Sequence, residues 1–444
     1  MALAAARALA PAVAAVGWEP LAAEHLFLVG TIETIGTDTA AGSETLRQAA
    51  ALAERVHHDY IAAAVWLQLA QQTAFTDRDA TRALEYARYA DAASARLNRP
   101  PAVEVQLAYA RGVALIDHGD LAAGEAELRR GLDLAEAKIA TSVGLLVQGL
   151  AYAFESDGHY ADAVETYRRA LAISARDGTL GSPAEVVYRM RLAVNLSNLG
   201  QSSAALVEAR AAAALADQIL PPGHLDRVIT YGNLAEVLRA AGLNDEALAA
   251  ITEARARAAG SERTALYGYL LSIEATIHGD LGHPERGAPL IRRACEIAAF
   301  SNGDADPRTM QCRADGAEVL NLAGDHATAK AWLDAALPVL REVLGDDHAQ
   351  LATAMQALGG ARAGLGDPAG AVVAYEDALA RMVRADIGPG FVASTQWTLG
   401  QALPRRARAR AVELVTAAVE TWRAAPDGWE PALADAEAWL RTHR

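Results

Sequence analysis

Lysine is almost missing from this chain. Among 444 residues only Lys138 and Lys330 carry an ammonium group, and the formal net charge is -15. A protein that grips a nucleic-acid backbone shows a basic face, so this balance argues against a nucleic-acid partner. Aromatic residues are scarce too, at 5%, although apolar residues reach 52%. Much of the difference is alanine, the strongest helix former. Cysteine occurs twice, at Cys295 and Cys312. Two are too few for a disulfide framework; they fall on successive helices, where a bridge is the alternative, and they read first as small buried apolar thiols in a reducing cytoplasm. No run of 18 or more strongly apolar residues occurs, so no membrane-spanning helix is predicted. The opening MALAAARALAPAVAAVG has an alanine core, interrupted by Pro11, with Arg7 as its one charge. It reads as a helix over residues 2–16 rather than a secretory signal.

Signatures of chemistry are lacking as well. There is no P-loop, no G-x-S-x-G and no H-E-x-x-H. His57 and His58 are adjacent, and neighbours on a helix point apart. His118, His159, His283 and His326 sit beside turn glycines of different repeats and read as solvated turn residues. No catalytic residue, metal ligand or cofactor is predicted, and the chain reads as a non-enzyme.

What is present is a repeat. The segment TDTAAGSETLRQAAALAE, starting at Thr37, returns as GDLAAGEAELRRGLDLAE at Gly119. Gly119, Gly158, Gly200, Gly242, Gly282, Gly324 and Gly366 follow one another at steps of 39, 42, 42, 40, 42 and 42. Such a period marks a solenoid. Three columns accompany these glycines. Seven residues before stand Gly112, Ala151, Ala193, Ala235, Ala275, Ala317 and Gly359. Five after stand Gly124, Ala163, Ala205, Ala247, Gly287, Ala329 and Ala371. Twelve after stand Gly131, Ala170, Ala212, Ala254, Ala294, Ala336 and Ala378. The last two columns are seven apart, so they share one helix face. Small residues there let two antiparallel helices come close. Each unit is therefore helix, glycine turn, helix, and it must stack on neighbours to bury its apolar face. The frame extends to about ten units. A final helix near Pro431–Thr442 presents Leu433, Ala436 and Leu440 on one side, as a solenoid cap would. The basic run PRRARAR (residues 404–410) reads as the solvated edge of the last repeat.

LLVQGLAYAFESDGHYADAVETYRRALAI resembles a tetratricopeptide repeat, with Ala151, Phe154, Ala163, Tyr167 and Ala170 meeting the family pattern. The period of 41–42, against the family's usual 34, is similar to the kinesin-light-chain type. The resemblance implies an all-α, right-handed superhelical α-solenoid with a C-terminal capping helix. Its expected layout is residues 1–19 as an N-terminal helix of a partial preceding unit, 20–426 as the solenoid and 427–444 as the cap. VGWEPLAAEHLFLVGTIET and ADAEAWLRTH further resemble the C-terminal repeat region of bacterial eukaryotic-type Ser/Thr protein kinases. The kinase signatures G-x-G-x-x-G, V-A-I-K, H-R-D and D-F-G are not present.

In tetratricopeptide proteins the first helix of each unit lines a concave surface on which extended peptides lie. Carried onto this frame, the inward positions are Phe27 and Thr31; Gln68, Gln72 and Phe75; Tyr109 and Val113; Gln148, Tyr152 and Glu155; Met190, Val194 and Asn198; then Asn233, Glu236 and Arg239, followed by Glu318 and Asn321. Amides and rings dominate the early units and charges the later ones. With no lysine and only Arg239 among these positions, the family's clamp for a C-terminal carboxylate is not expected. The expected function is a cytoplasmic protein-interaction scaffold holding a peptide or partner domain. The alternative is a docking arm for a bacterial Ser/Thr kinase in signal transduction.

Overall fold

The computed structural model of this protein describes residues 2–35, 39–74, 79–139, 142–221, 224–258, 264–385, 387–424 and 429–443, and among them there are helices and no strand. The fold is an all-α solenoid of helical hairpins. Two compact units are present: Met1–Ser156 with Ala172–Asp177, and Asp157–Leu171 with Gly178–Arg444.

The first unit contains α1 (Ala2–Ala8), α2 (Ala10–Val16), α3 (Glu19–Ile35), α4 (Thr39–Arg55), α5 (Asp59–Gln72), α6 (Ala80–Arg96), α7 (Pro101–Asp117), α8 (Leu121–Lys138) and α9 (Val143–Ser156). α10 (Tyr160–Arg176) has its first part in the second unit. That unit continues through α11 (Pro183–Asn198), α12 (Ser202–Ile219), α13 (Leu225–Ala240), α14 (Asn244–Arg257), α15 (Ala265–Asp280), α16 (Pro284–Asn302) and α17 (Pro307–Leu322). It ends with α18 (His326–Leu344), α19 (Ala349–Gly364), α20 (Pro368–Arg384), α21 (Pro389–Ala402), α22 (Arg408–Ala424) and α23 (Glu430–His443).

The punctuating glycines end the first helix of each hairpin. All seven have positive φ, between 73° and 93°, which glycine adopts without steric cost. In three hairpins an aspartate follows at once and caps the next helix: Asp120 accepts from the Ala123 N–H, Asp325 from Thr328 and Asp367 from Gly370. The same aspartates donate their backbone N–H back to Leu115, Leu320 and Arg362 at 2.8–2.9 Å. The Gly-Asp pair thus closes one helix and opens the next in two residues.

The small-residue columns lie where the helices of a hairpin meet. The sixteen alanines among them are at most 2% exposed. Where glycine replaces alanine the approach is closer still. A Cβ on Gly287 would stand 2.4 Å from the Ala275 carbonyl oxygen, and one on Gly124 would stand 2.8 Å from that of Gly112. Larger residues, such as Leu128, Leu196, Ile251, Leu320 and Leu333, fill the space between and are at most 1% exposed.

Curvature within each unit follows from which helices touch. Within each unit hairpins stack through their second helices, α4 on α5, α6 on α7 and α8 on α9, then α12 on α13, α14 on α15, α16 on α17, α18 on α19 and α20 on α21. Odd-numbered helices also pack in series: α3 on α5, α5 on α7 and α7 on α9; then α11 on α13, α13 on α15, α15 on α17 and α17 on α19. The even-numbered helices form no comparable series. The odd-numbered helices therefore lie on the inside of the curve.

Two expectations are corrected. Residues 2–16 form two short helices rather than one, because Pro11 has no N–H to bond the carbonyl one turn before it. Cys295 and Cys312 are not separate thiols. They form a disulfide with a Cα–Cα distance of 5.6 Å, and no cysteine is free. The repeat order places them on successive helices, and α16 and α17 pack side by side and bring both residues to one contact, so the bridge forms in place of two buried thiols. The bridge also removes the reason for assigning a reducing compartment. No helix among the described residues is long and apolar enough to cross a membrane. The cap forms as expected: Ala436 and Leu440 are buried, with Trp422 fully buried beneath α23 and stacked on Trp429.

Candidate functional site: the inner helix faces

The inner positions of the first unit are largely engaged with their own neighbours. Thr31 donates to Gln68 Oε1 at 2.8 Å, and the Gln68 amide donates to Thr34 at 3.2 Å. The Gln72 amide donates to Ser43 on α4 at 2.6 Å. The Tyr152 hydroxyl donates to Asp117. Tyr109 is 5% exposed, and its ring covers the backbone of α9, where a Cβ on Gly149 would lie 3.2 Å from it. Such a ring cannot receive a partner. Phe27 is half-buried against the core of this unit, and Gln148 and Glu155 are half-buried. Phe75 lies outside the described residues.

The second unit differs in its charge. On α13, Asn233 is buried, and Glu236 and Arg239 lie at successive turns beside it. The Tyr269 hydroxyl of α15 donates to Asn233 at 2.8 Å and is 3.0 Å from Glu236. Arg239 donates to Asp280 at the end of α15 at 3.0 Å. The one inward arginine is thus spent on the neighbouring repeat. Asn198 is half-buried at the end of α11.

Next along the curve, α17 presents Asp315, Glu318 and Leu322, all water-accessible, with Leu322 54% exposed. Asn321 is turned away and donates to the Ala357 carbonyl of α19 at 2.9 Å. Asp315 and Glu318 take part in no hydrogen bond or ion pair among the described residues. The protein wall around them still crowds out bulk water. Burial, with Glu236 nearby, pushes the Asp315 carboxyl up to about 7. Burial also raises Glu318, with Asp280 adding to the rise and Arg239 opposing it. The direction of both shifts says that negative charge is held here at a cost. Asp280, Glu236 and Glu318 thus act on one arginine that is already paired, and Asp315 stands near Glu236.

Sequence reasoning named Glu236, Arg239 and Glu318 but missed Asp315, Asp280 and Tyr269. The signal for Asp315 was present: it stands nine residues before Gly324, as Asn233 stands nine before Gly242. Asp280 stands two residues before Gly282, one off the position that Arg239 and Asn321 hold three before their glycines.

A separate cavity of about 490 Å³ in the second unit lies between the turn at residues 157–162 and the loop at residues 344–349. Its walls carry Asp157, His159, Asp346 and Asp347, and Arg384 pairs with Asp347 at 2.7 Å. Among the described residues no group of three His, Cys, Asp or Glu side chains is arranged to hold a metal ion.

Stacked hairpins with glycine turns and an inner row of first helices define a helical-repeat protein. Residues 317–382 match the tetratricopeptide repeat family model. It is similar in fold to a Rap protein in complex with Competence and Sporulation Factor. That match has a TM-score of 0.54 and 14% identity, covering 86% of this chain and 99% of the other. It is also similar to IFIT1 bound to m7Gppp-AAAA, with a TM-score of 0.52 and 14% identity, over 94% of this chain and 89% of the other. A kinesin light chain from Podosopora anserina with nearly identical TPR-like repeats aligns over 46% of this chain and 97% of its own. That pair has 18% identity and a TM-score of 0.36. No curated protein matches this chain.

Proposed function

We propose that this protein is a non-catalytic scaffold that holds a peptide segment of a partner protein on its inner helices. The main seat is the face formed by α13, α15 and α17. One observation carries this reading: Asp315 and Glu318 stand accessible on that face, and among the described residues neither is in an ion pair. Both carboxyls are raised above their ordinary values, so charge there is unfavourable until a counter-charge arrives. An arginine or lysine of a partner would supply it, and Leu322 beside them offers an apolar contact.

The two folds above hold ligands of different kinds, so fold alone does not choose the ligand. Charge does. An oligonucleotide would bring phosphates to an acidic wall on a chain of net charge -15, which disfavours it. The inner positions of the first unit are already occupied by contacts within the protein and supply shape more than affinity. No observation favours a kinase-docking role.

The test is a fluorescence anisotropy titration of the full chain with two peptides of equal length, one arginine-rich and one glutamate-rich. The arginine-rich peptide binds and the other does not. Asp315→Asn with Glu318→Gln lowers affinity about 5–10-fold, the scale of losing two partly screened ion pairs. Equal binding of both peptides, or no loss in the double variant, overturns the reading.

A further inference from the structure

We propose that the Cys295–Cys312 bridge is a reversible thiol–disulfide site, opened by a small or protein-borne dithiol attacking Cys312, and that its state regulates the inner face of the second unit. The regulatory half rests on the function proposed above; the redox half does not.

The bridge does not close a hairpin. It joins α16, the outer helix of one repeat, to α17, the inner helix of the next. In a repeat array stability is held in units and in the interfaces between them, so this bond reinforces a single interface. The two sulfurs are unequally placed. Cys295 is 3% exposed, within the core formed with Ile291, Ala294 and Ile297, whereas Cys312 is half-buried at the edge of that core. Exchange requires an attacking thiolate to reach one sulfur, and Cys312 is the one within reach. The surroundings also tolerate the open state. Two thiols in an apolar contact behave as small hydrophobes, so reduction leaves no buried charge behind.

The chemistry balances as ordinary exchange. A thiolate of the dithiol bonds to Cys312 Sγ, the S–S bond breaks, and Cys295 leaves as a thiolate that takes up a proton. The second thiol of the reductant then displaces Cys312, which also ends as a thiol. Two electrons and two protons pass to the protein, and the reductant departs as a cyclic disulfide. A disulfide oxidant reverses the sequence.

The link to function is α17 itself. Cys312 lies one turn before Asp315 and less than two before Glu318 on the same helix. With the bond closed, α17 is held covalently to α16 while it presents its two carboxylates. With the bond open, only packing holds it, and a less ordered face binds less well because more conformational freedom is lost on binding.

Three measurements on the full chain test this. First, hydrogen exchange at residues 307–322 is compared before and after treatment with dithiothreitol, with α13 as the internal reference. Exchange in α17 rises about 10-fold or more on reduction, while α13 changes less. Second, Cys295→Ser, which leaves Cys312 as the lone thiol, reacts with an aromatic disulfide reagent about 10-fold faster than Cys312→Ser does. Third, the arginine-rich peptide binds the reduced protein about 3–10-fold more weakly than the oxidised protein. A bond that dithiothreitol cannot open in the folded protein, equal thiol reactivity in the two variants, or unchanged exchange in α17 overturns the redox site. Loosening of α17 with unchanged peptide affinity supports the site and overturns the regulation. Loosening of α17 with no peptide binding in either state overturns the regulation together with the proposed function, and the redox site stands.

Discussion

At the scale of single residues, the fold depends on side chains that are nearly absent. Gly287 shows how little room remains. Replacing glycine by alanine inside a helix gains about 1 kcal/mol of propensity. Here the added methyl would meet the Ala275 carbonyl oxygen at 2.4 Å and Val319 at 3.0 Å. A backbone oxygen cannot swing aside, so the overpacking cost of about 1–3 kcal/mol outweighs the gain. Gly287→Ala therefore lowers the melting temperature by a few degrees in a thermal scan; a rise would mean that the helices of this hairpin sit further apart. The columns that contain Gly287 were legible in the sequence, because close packing of helices leaves a periodic trace of small residues. The disulfide was not. Cysteine spacing says nothing about which two helices meet, and it is their packing that brings Cys295 to Cys312.

Among the elements, α23 shows what a solenoid end requires. Trp422 on α22 is fully buried, its indole N–H donates to the Gly390 carbonyl at 3.1 Å, and its ring stacks on Trp429. Trp397 and Trp439 meet edge to face at 6.1 Å on the same small core. This core serves α21, α22 and α23 alone. Trp422→Ala removes its centre, at about 3–5 kcal/mol. Hydrogen exchange then accelerates over residues 389–443 and stays unchanged in α13 and α15, since repeats lose order locally. Acceleration throughout the second unit would show that the cap is coupled to the whole. The capping helix was readable from the three- and four-residue spacing of Leu433, Ala436 and Leu440. The aromatic core beneath it was not, because those rings come from three helices and a loop. The break between α1 and α2 is written in the sequence at Pro11, whose missing N–H interrupts a helix as readily as its ring interrupts an apolar run.

For the molecule as a whole, the central claim is that charge on the inside of the second unit selects the partner. The repeat frame located the inner helices and several of the residues on them. It could not say which of these the protein uses for itself, because Gln68, Gln72, Asn233 and Arg239 all find partners one helix away. Inward placement is a property of register, whereas availability is a property of neighbours, and only the latter makes a binding site.

Titration offers the sharpest discrimination. Burial and Glu236 raise the Asp315 carboxyl to about 7, above its unfolded value near 4. Its neutral form is therefore favoured in the folded protein, and stability contributed in that way is present in acid and lost as pH rises through 7. Affinity for a cation moves the other way, since the carboxylate appears as that stability is lost. The measurement is the affinity of an arginine-rich, histidine-free peptide between pH 6 and pH 8. The account predicts an increase of about 2–5-fold across that range in the native chain, with a much flatter profile in Asp315→Asn. Identical profiles for the two proteins, or binding that weakens as pH rises, would contradict it.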